Sequence, residues 1–302
     1  FDNTKYPGIK GLDLKEFKYQ INFLNNNYKI LSPQEVKRKI LEGGSFKDNE
    51  CWLTFDDGYK DHFDFVRPIL NSLGLKASFF PPVKTALNET ILDVNLIHYI
   101  LAVIDDRKLI MSHIQQLYEE QELNKTFTNL KEIVSRIDIP YEIANHPYDD
   151  QETIIIKRLL QRDLPEKFRM HVCESLFNEH VSNDIGSFAK DLYMNLNEID
   201  QLVDEGHEIG SHGYNHCWLS SLTYKAQSEE IKKSIQFWQD RGILDKHWTI
   251  CYPYGDFNEE TIRIAGDCGA LIGLTVENGI ASMNNEDYLR LPRIDTNELP
   301  KR

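Results

Sequence analysis

The chain has no apolar run long enough to cross a bilayer, no cluster of lysines and arginines, no C-x-x-C pair and no histidine beyond His247. Each absence excludes something. Without a run of roughly 20 apolar residues there is no transmembrane segment. With 34 Lys and Arg against 48 Asp and Glu, a formal charge of −14, a phosphate backbone is repelled, so a nucleic-acid partner is not expected. Five cysteines (Cys51, Cys173, Cys217, Cys251, Cys268) fit neither a disulfide framework nor a thiolate zinc knuckle. They favour a reducing compartment and therefore a cytoplasmic location. No basic-apolar leader opens the chain, but it begins at Phe1, so a trimmed N-terminus keeps a secreted or periplasmic location open. Nothing in the pattern specifies an oligomer. What is present, 41% hydrophobic and 27% charged residues in 302, is the composition of a globular protein.

Strand and helix patterns alternate through both ends of the chain. Leu14 to Leu24 has helical spacing, "YKIL" reads as a short strand, and Ser32 to Glu35 is a capping box with proline at the first helical position, opening a helix to about Leu41. The strand "CWLTF", a helix from Phe63 to Leu73 stopped by Gly74, and the strand "LKASFFPP" follow. Residues 84–190 are almost wholly helical in pattern and read as an insertion into a single domain spanning 1–302. Alternation then resumes: a helix over Leu196 to Glu205, "HEIGSH", a helix from Tyr224 to Gln239, "TICYPYG", a helix from Glu259 to Cys268, and strands "LIGLTV" and "YLRLPRI". Strands separated by helices predict an α/β fold with parallel pairing, either an open doubly wound sheet or a closed β/α barrel.

Three stretches at predicted strand ends carry the chemistry. "TFDDGY" delivers adjacent carboxylates, Asp56 and Asp57, to a glycine. Like charges so close repel unless water or a positive group holds them, so the alternatives are a solvated turn or a metal. "SHGYNH" spaces His212 and His216 so that both imidazoles can serve one divalent cation, although such pairs are also common on surfaces. "CYPYGDFN" supplies a proline-aromatic-glycine turn whose backbone can approach a ligand. In parallel α/β folds, sites gather at the C-terminal ends of strands, where all three stretches fall. Two histidines and an aspartate make a three-ligand catalytic metal site, with the second aspartate free to act as base.

"TFDDGY", "SHGYNH" and "YPYG", in this order, resemble the first three motifs of the polysaccharide deacetylases, the NodB-homology domain of carbohydrate esterase family 4. The resemblance implies a distorted (β/α) barrel of the NodB type, here with a helical insertion. It implies a hydrolase of linear amide C–N bonds that removes N-acetyl groups from amino sugars, in a glycan or a glycan precursor, using a divalent metal, commonly Zn2+. By position, Asp56 resembles the general base, Asp57 the metal-binding aspartate, His212 and His216 the other metal ligands, and the Tyr254 N–H the oxyanion donor.

The chain departs from the family pattern at three places. Gly213 follows the first metal histidine where Ser or Thr is usual, and Cys251 stands where an arginine usually pairs with the catalytic aspartate. Arg293 in "LPRID", on a predicted closing strand, is a candidate substitute partner for Asp56, although an arginine at a strand end is more often an ordinary surface salt-bridge residue. The usual late histidine, the general acid, is missing, which leaves His98 of the insertion, a histidine upstream of Phe1 or Asp56 itself as proton donors. Trp218 is the best sugar-stacking candidate, and His207 reads as support for the metal loop. Two other functions fit parts of this pattern: a non-catalytic glycan-binding protein on the same fold, and a metal-dependent phosphoesterase.

Overall fold

The computed structural model describes residues 5–9, 11–145, 149–281 and 287–302. The chain forms two compact units, one of residues 1–11 with 91–188 and one of residues 12–90 with 189–302. The first is helical: its longer helices are Asp93–Val103, Arg107–Glu120 and Glu166–His180, and they bury Ile97, Ile100, Ile110, Ile114, Val172 and Leu176 almost completely. No helix among the described residues is long and apolar enough to cross a membrane.

The second unit holds all the strands. Its first helix, α1 (Leu14–Asn27), starts at Asp13, whose carboxylate accepts the N–H groups of Lys15 and Glu16 at 2.6 and 2.9 Å. Strand β1 (Lys29–Ile30) leads to α2 (Pro33–Leu41), which opens on the Ser32–Glu35 capping box with Pro33 in the first turn. Strands β2 (Glu50–Cys51) and β3 (Thr54–Asp56) come from the single predicted run "CWLTF". The break has a pairing cause: β2 pairs with β1, whereas β3 pairs in parallel with β4 (Ser78–Phe80), so the extended run changes neighbour midway. Between them the predicted helix begins as a π-helical turn, His62–Val66, before the regular helix α3 (Arg67–Ser72).

After the helix α4 (Val83–Ala86), the unit resumes at α5 (Leu196–Asp204), opened by an Asn195–Glu198 capping box, and β5 (Glu208–Ile209). Helix α6 (Tyr224–Asp240), β6 (Trp248–Cys251), α7 (Glu259–Asp267), β7 (Ala270–Asn278) and β8 (Leu291–Arg293) complete it. "YLRLPRI" is strand only at its end, because Tyr288–Arg290 is a 3-10 turn. The α/β parallel architecture is present as three ladders, β1-β2, β3-β4-β5 and β6-β7-β8, all parallel. A single parallel bridge, Ser211 to Ile250, joins the second ladder to the third. Among the described residues no ladder joins β8 to β1, so the pairing does not by itself draw a closed barrel wall.

The core fills the space between strands and helices with Phe79, Leu70, Leu202, Trp238 and Trp248, none measurably exposed. Packing is tight at Gly210, where a Cβ would lie 2.2 Å from Phe80 Cε1 and 2.8 Å from the Thr249 carbonyl. Glu208, buried on β5, accepts from Ser78 Oγ and from Thr249 Oγ1 at 2.9 Å and pairs with Lys37 at 2.5 Å, so one satisfied carboxylate clamps α2 and three strands. His207 accepts the Ala77 N–H on Nδ1 at 3.2 Å, bracing the start of β5.

Burial holds the His62 and His207 imidazoles at pKa values of about 4, whereas an unfolded histidine titrates near 6.5. The folded pKa is the lower one, so this contribution to stability is intact above pH 6.5 and is lost as pH falls towards 4, by up to about 1.4 kcal/mol per pH unit per imidazole. His62 packs against the Phe55, Tyr59 and Phe79 rings, and its Nδ1 is buried without a hydrogen-bond partner among the described residues. His62→Phe keeps the ring packing and should flatten the fall of the thermal midpoint between pH 7.5 and pH 5, measured by calorimetry.

Candidate active site

Four strand ends build the site. Asp56 is the last residue of β3, His212 follows β5, Cys251 ends β6 and Arg293 ends β8. Because the pairing is parallel, these ends lie on one side of the unit. Asp57 then leaves β3 in the left-handed region at φ 66°, followed by Gly58 at φ 70°. Gly58 has no alternative: a Cβ would come within 2.7 Å of Pro81 Cβ. This turn gives neighbouring carboxylates different partners.

Asp57 faces the two histidines. Its Oδ1 lies 3.4 Å from His212 Nε2 and 3.4 Å from His216 Nε2, and its Oδ2 accepts the Tyr59 hydroxyl at 3.1 Å. Both imidazoles are buried, and their ring centroids are 4.7 Å apart. His212 Nδ1 is 2.7 Å from the Cys251 carbonyl oxygen, which can only accept, so Nδ1 carries a proton. Burial opposes charge on this ring, but Cys251 and the Asp57 carboxylate raise its pKa well above the ordinary value, so a cation bound at Nε2 would displace a proton there. Burial and the neighbouring His212 push the His216 pKa down to about 4, which leaves that ring neutral at neutral pH. Burial by itself would raise the Asp57 carboxyl, but the two histidines and Tyr59 hold it well below the usual carboxylate range.

Asp56 faces Arg293. The guanidinium donates to Oδ1 from Nη1 at 2.9 Å and to Oδ2 from Nη2 at 2.7 Å, a two-pronged pair of the strongest kind. Arg293 is itself fixed by the Thr275 carbonyl at 2.9 Å and Thr54 Oγ1 at 3.3 Å. The Cys251 thiol donates to Asp56 Oδ2 at 3.3 Å. Burial acts to raise this carboxyl too, and Arg293 overrides it, so Asp56 stays ionised below the ordinary range.

Among the described residues, two sets of side chains could hold a cation, with ligand atoms within 4.8 Å of one another: Asp57, His212 and His216, and Asp56, His212 and Cys251. The first set fits a divalent ion better. Its two imidazole nitrogens and one carboxylate oxygen converge, and three such ligands leave coordination positions open. In the second, both Asp56 oxygens already accept from Arg293. Cys217, next to His216, is in neither set and packs against the core instead.

Tyr254 is left-handed as well, at φ 58°, and its ring packs 4.5 Å from His216 and lies parallel to Trp218 at 4.4 Å with 3° between planes. His98, considered from sequence as a proton donor, is exposed on Asp93–Val103 of the helical unit. Tyr59 and Glu230 were not anticipated. Tyr59 had a signal, since its phenol follows the aspartate pair by two residues; Glu230 had none, lying mid-helix far from the motifs.

The comparisons bear first on fold and then on family. A deacetylase from Streptococcus pyogenes, PplD, solved with acetate, superposes with a TM-score of 0.57 over 97% of this chain and 86% of its own, at 18% identity. IcaB from Ammonifex degensii gives 0.52 over 94% and 84%, at 14% identity. At such identities the likeness is one of fold. Residues 167–272, which contain His212, His216 and the third motif, match the polysaccharide deacetylase family. The Bacillus subtilis (strain 168) protein YxkH, named for polysaccharide deacetylase, is 21% identical over 91% of this chain, and the chain spans 62% of its length. Over residues 167–272, which carry the second and third motifs, the chain is similar to the polysaccharide deacetylases.

Removal of a direct ligand should cost more than the roughly 10–100-fold in metal affinity typical of outer partners. Asp57→Asn is therefore expected to weaken Zn2+ binding by over 100-fold, about the upper end of that range, in competition with a chromophoric chelator, while Asp56→Asn stays within a few fold of wild type.

Proposed function

We propose that the protein is a metal-dependent hydrolase that removes the N-acetyl group from an amino sugar of a glycan or glycan precursor. The observation that carries this reading is the division of labour between consecutive carboxylates: Asp57 beside two imidazole nitrogens, Asp56 beside a guanidinium. In this reading the parallel strands form the wall of a distorted barrel, residues 84–190 are a helical insertion in it, and the site occupies the strand ends.

Asp57, His212 and His216 would hold the divalent ion, with Zn2+ the first candidate. When bound, it polarises the acetamide carbonyl and lowers the pKa of a water, both of which the poorly electrophilic amide needs. Asp56, kept ionised by Arg293, takes a proton from the attacking water as its oxygen adds to the carbonyl carbon. The Tyr254 N–H donates to the oxygen that gains negative charge, a contribution of about 3–4 kcal/mol for a donor of this kind. The C–N bond then breaks, acetate leaves, and Asp56 returns its proton to the amine. Asp56 is assigned both transfers because it is the ionised carboxylate at the site that faces away from the two histidines, held by Arg293.

Neither alternative is favoured by an observation. A phosphoesterase needs cations or clustered N–H groups for phosphate, and Arg293, the guanidinium at this site, is spent on Asp56. A binding protein that had lost catalysis has no need of so strongly held a base.

The test is acetate release from a panel of N-acetylated amino sugars and oligosaccharides, with Zn2+, Co2+ or Ni2+ supplied and phosphate release assayed in parallel. Acetate should appear, disappear with a chelator and return with metal. Asp56→Asn should bind metal but lose turnover; surviving activity would remove Asp56 from its role. Arg293→Met should shift the acid limb of the rate profile to higher pH, because burial raises the Asp56 carboxyl and Arg293 is its main counterweight.

A further inference from the structure

The two imidazoles sit on irregular backbone. Between His212 and His216 the chain passes through left-handed Gly213 at φ 76° and reaches His216 itself left-handed at φ 57°. Non-glycine residues in that region are strained, and a loop of this kind keeps its shape only if its surroundings impose it. On one side, the N–H groups of Val83 and Lys84 at the start of α4 donate to the Gly213 and Tyr214 carbonyls at 3.3 and 3.1 Å. Those bonds fix carbonyls; the N–H groups of the loop need an acceptor.

Glu230, on α6, is that acceptor. Its Oε1 receives the Tyr214 N–H at 2.8 Å and the Asn215 N–H at 2.5 Å, and its Oε2 receives the Asn215 side-chain amide at 2.5 Å. The residue is 6% exposed, and no cation pairs with it among the described residues. A buried carboxylate compensated only by N–H donors is committed to them, because leaving even one donor unmet costs both partners their solvation. One helical turn on, Lys233 Nζ lies 3.6 Å from the centroid of the Tyr214 ring, a second hold on the same loop residue. Gly213 belongs to this arrangement: a Cβ on it would sit 3.1 Å from Glu230 Oε1, so the missing side chain is what lets the carboxylate come in close.

We propose that Glu230 is the positioning residue of the metal loop, setting the separation of His212 and His216 and through it the affinity of the site for a divalent cation. It touches neither imidazole and acts through the backbone of Tyr214 and Asn215. The inference rests on the reading of Asp57, His212 and His216 as metal ligands.

The experiment compares wild type, Glu230→Ala and Glu230→Gln for Zn2+ affinity by chelator competition and for the visible absorption spectrum of the Co2+ form, with thermal midpoints measured in chelator. Glu230→Ala, which loses all three acceptor bonds, should bind Zn2+ about 10–100-fold more weakly and alter the Co2+ band shape. Glu230→Gln retains one acceptor oxygen and should recover much of the affinity. A role confined to general stability would lower the chelated midpoint and leave both metal readouts unchanged, and that result overturns the proposal. If Glu230→Ala fails to fold, Glu230→Met, similar in size and without an acceptor, takes its place: wild-type affinity and spectrum overturn the proposal, and a measurable weakening supports it. Wild type that binds no divalent ion removes the ligand reading itself, and the tether with it.

Discussion

Two carboxylates on consecutive residues cannot share one environment without one of them taking up a proton, and the site depends on how the chain prevents this. It separates them by backbone conformation. Asp56 ends a strand in extended geometry, Asp57 turns left-handed, and each meets its own positive or proton-donating partners: Arg293 and Cys251 for the first, two histidines and Tyr59 for the second. Both stay ionised although burial opposes it. Under the proposed function, one would serve as a ligand and the other as a base because their surroundings differ, not their chemistry.

Cys251 links the two halves. Its carbonyl accepts from His212 Nδ1 and its thiol reaches Asp56, so one residue at the end of β6 touches both the histidine pair and the Asp56–Arg293 pair. Arg293 comes instead from the end of β8 and supplies the charge that a cysteine cannot. The guanidinium thus arrives from a different strand while the carboxylate it serves keeps its place on β3, which illustrates that parallel strand ends are interchangeable as sources of a side chain when they converge on one point.

Local signals were legible in the sequence. The capping boxes, the stop at Gly74 and the order of strands and helices follow from short-range patterns, and the first and second motifs already held the three side chains, Asp57, His212 and His216, that converge in the structure, because each motif is compact. The third motif and Arg293 were legible as positions only; that Arg293 reaches Asp56 depends on β8 lying in the same group of parallel ends, a contact 237 residues apart in sequence. Strand lengths were overestimated at "HEIGSH" and "YLRLPRI", since an extended pattern does not reveal where a ladder loses its neighbour. The π-helical turn at His62 and the reach of Glu230 across to the histidine loop leave no local trace, because both are consequences of packing between elements.

Asp57, His216 and Tyr254 all adopt left-handed backbone without being glycine, and all three lie at the site. Conformations of this kind typically cost on the order of 1–3 kcal/mol each, so the reactive end of the molecule draws on stability accumulated elsewhere. Under selection, the buried framework around Glu208 and the two central tryptophans then acts as a reserve. Lineages that erode it lose tolerance for these three distortions before the ligands themselves change, and drift in the scaffold would silence the chemistry while every motif still reads as intact.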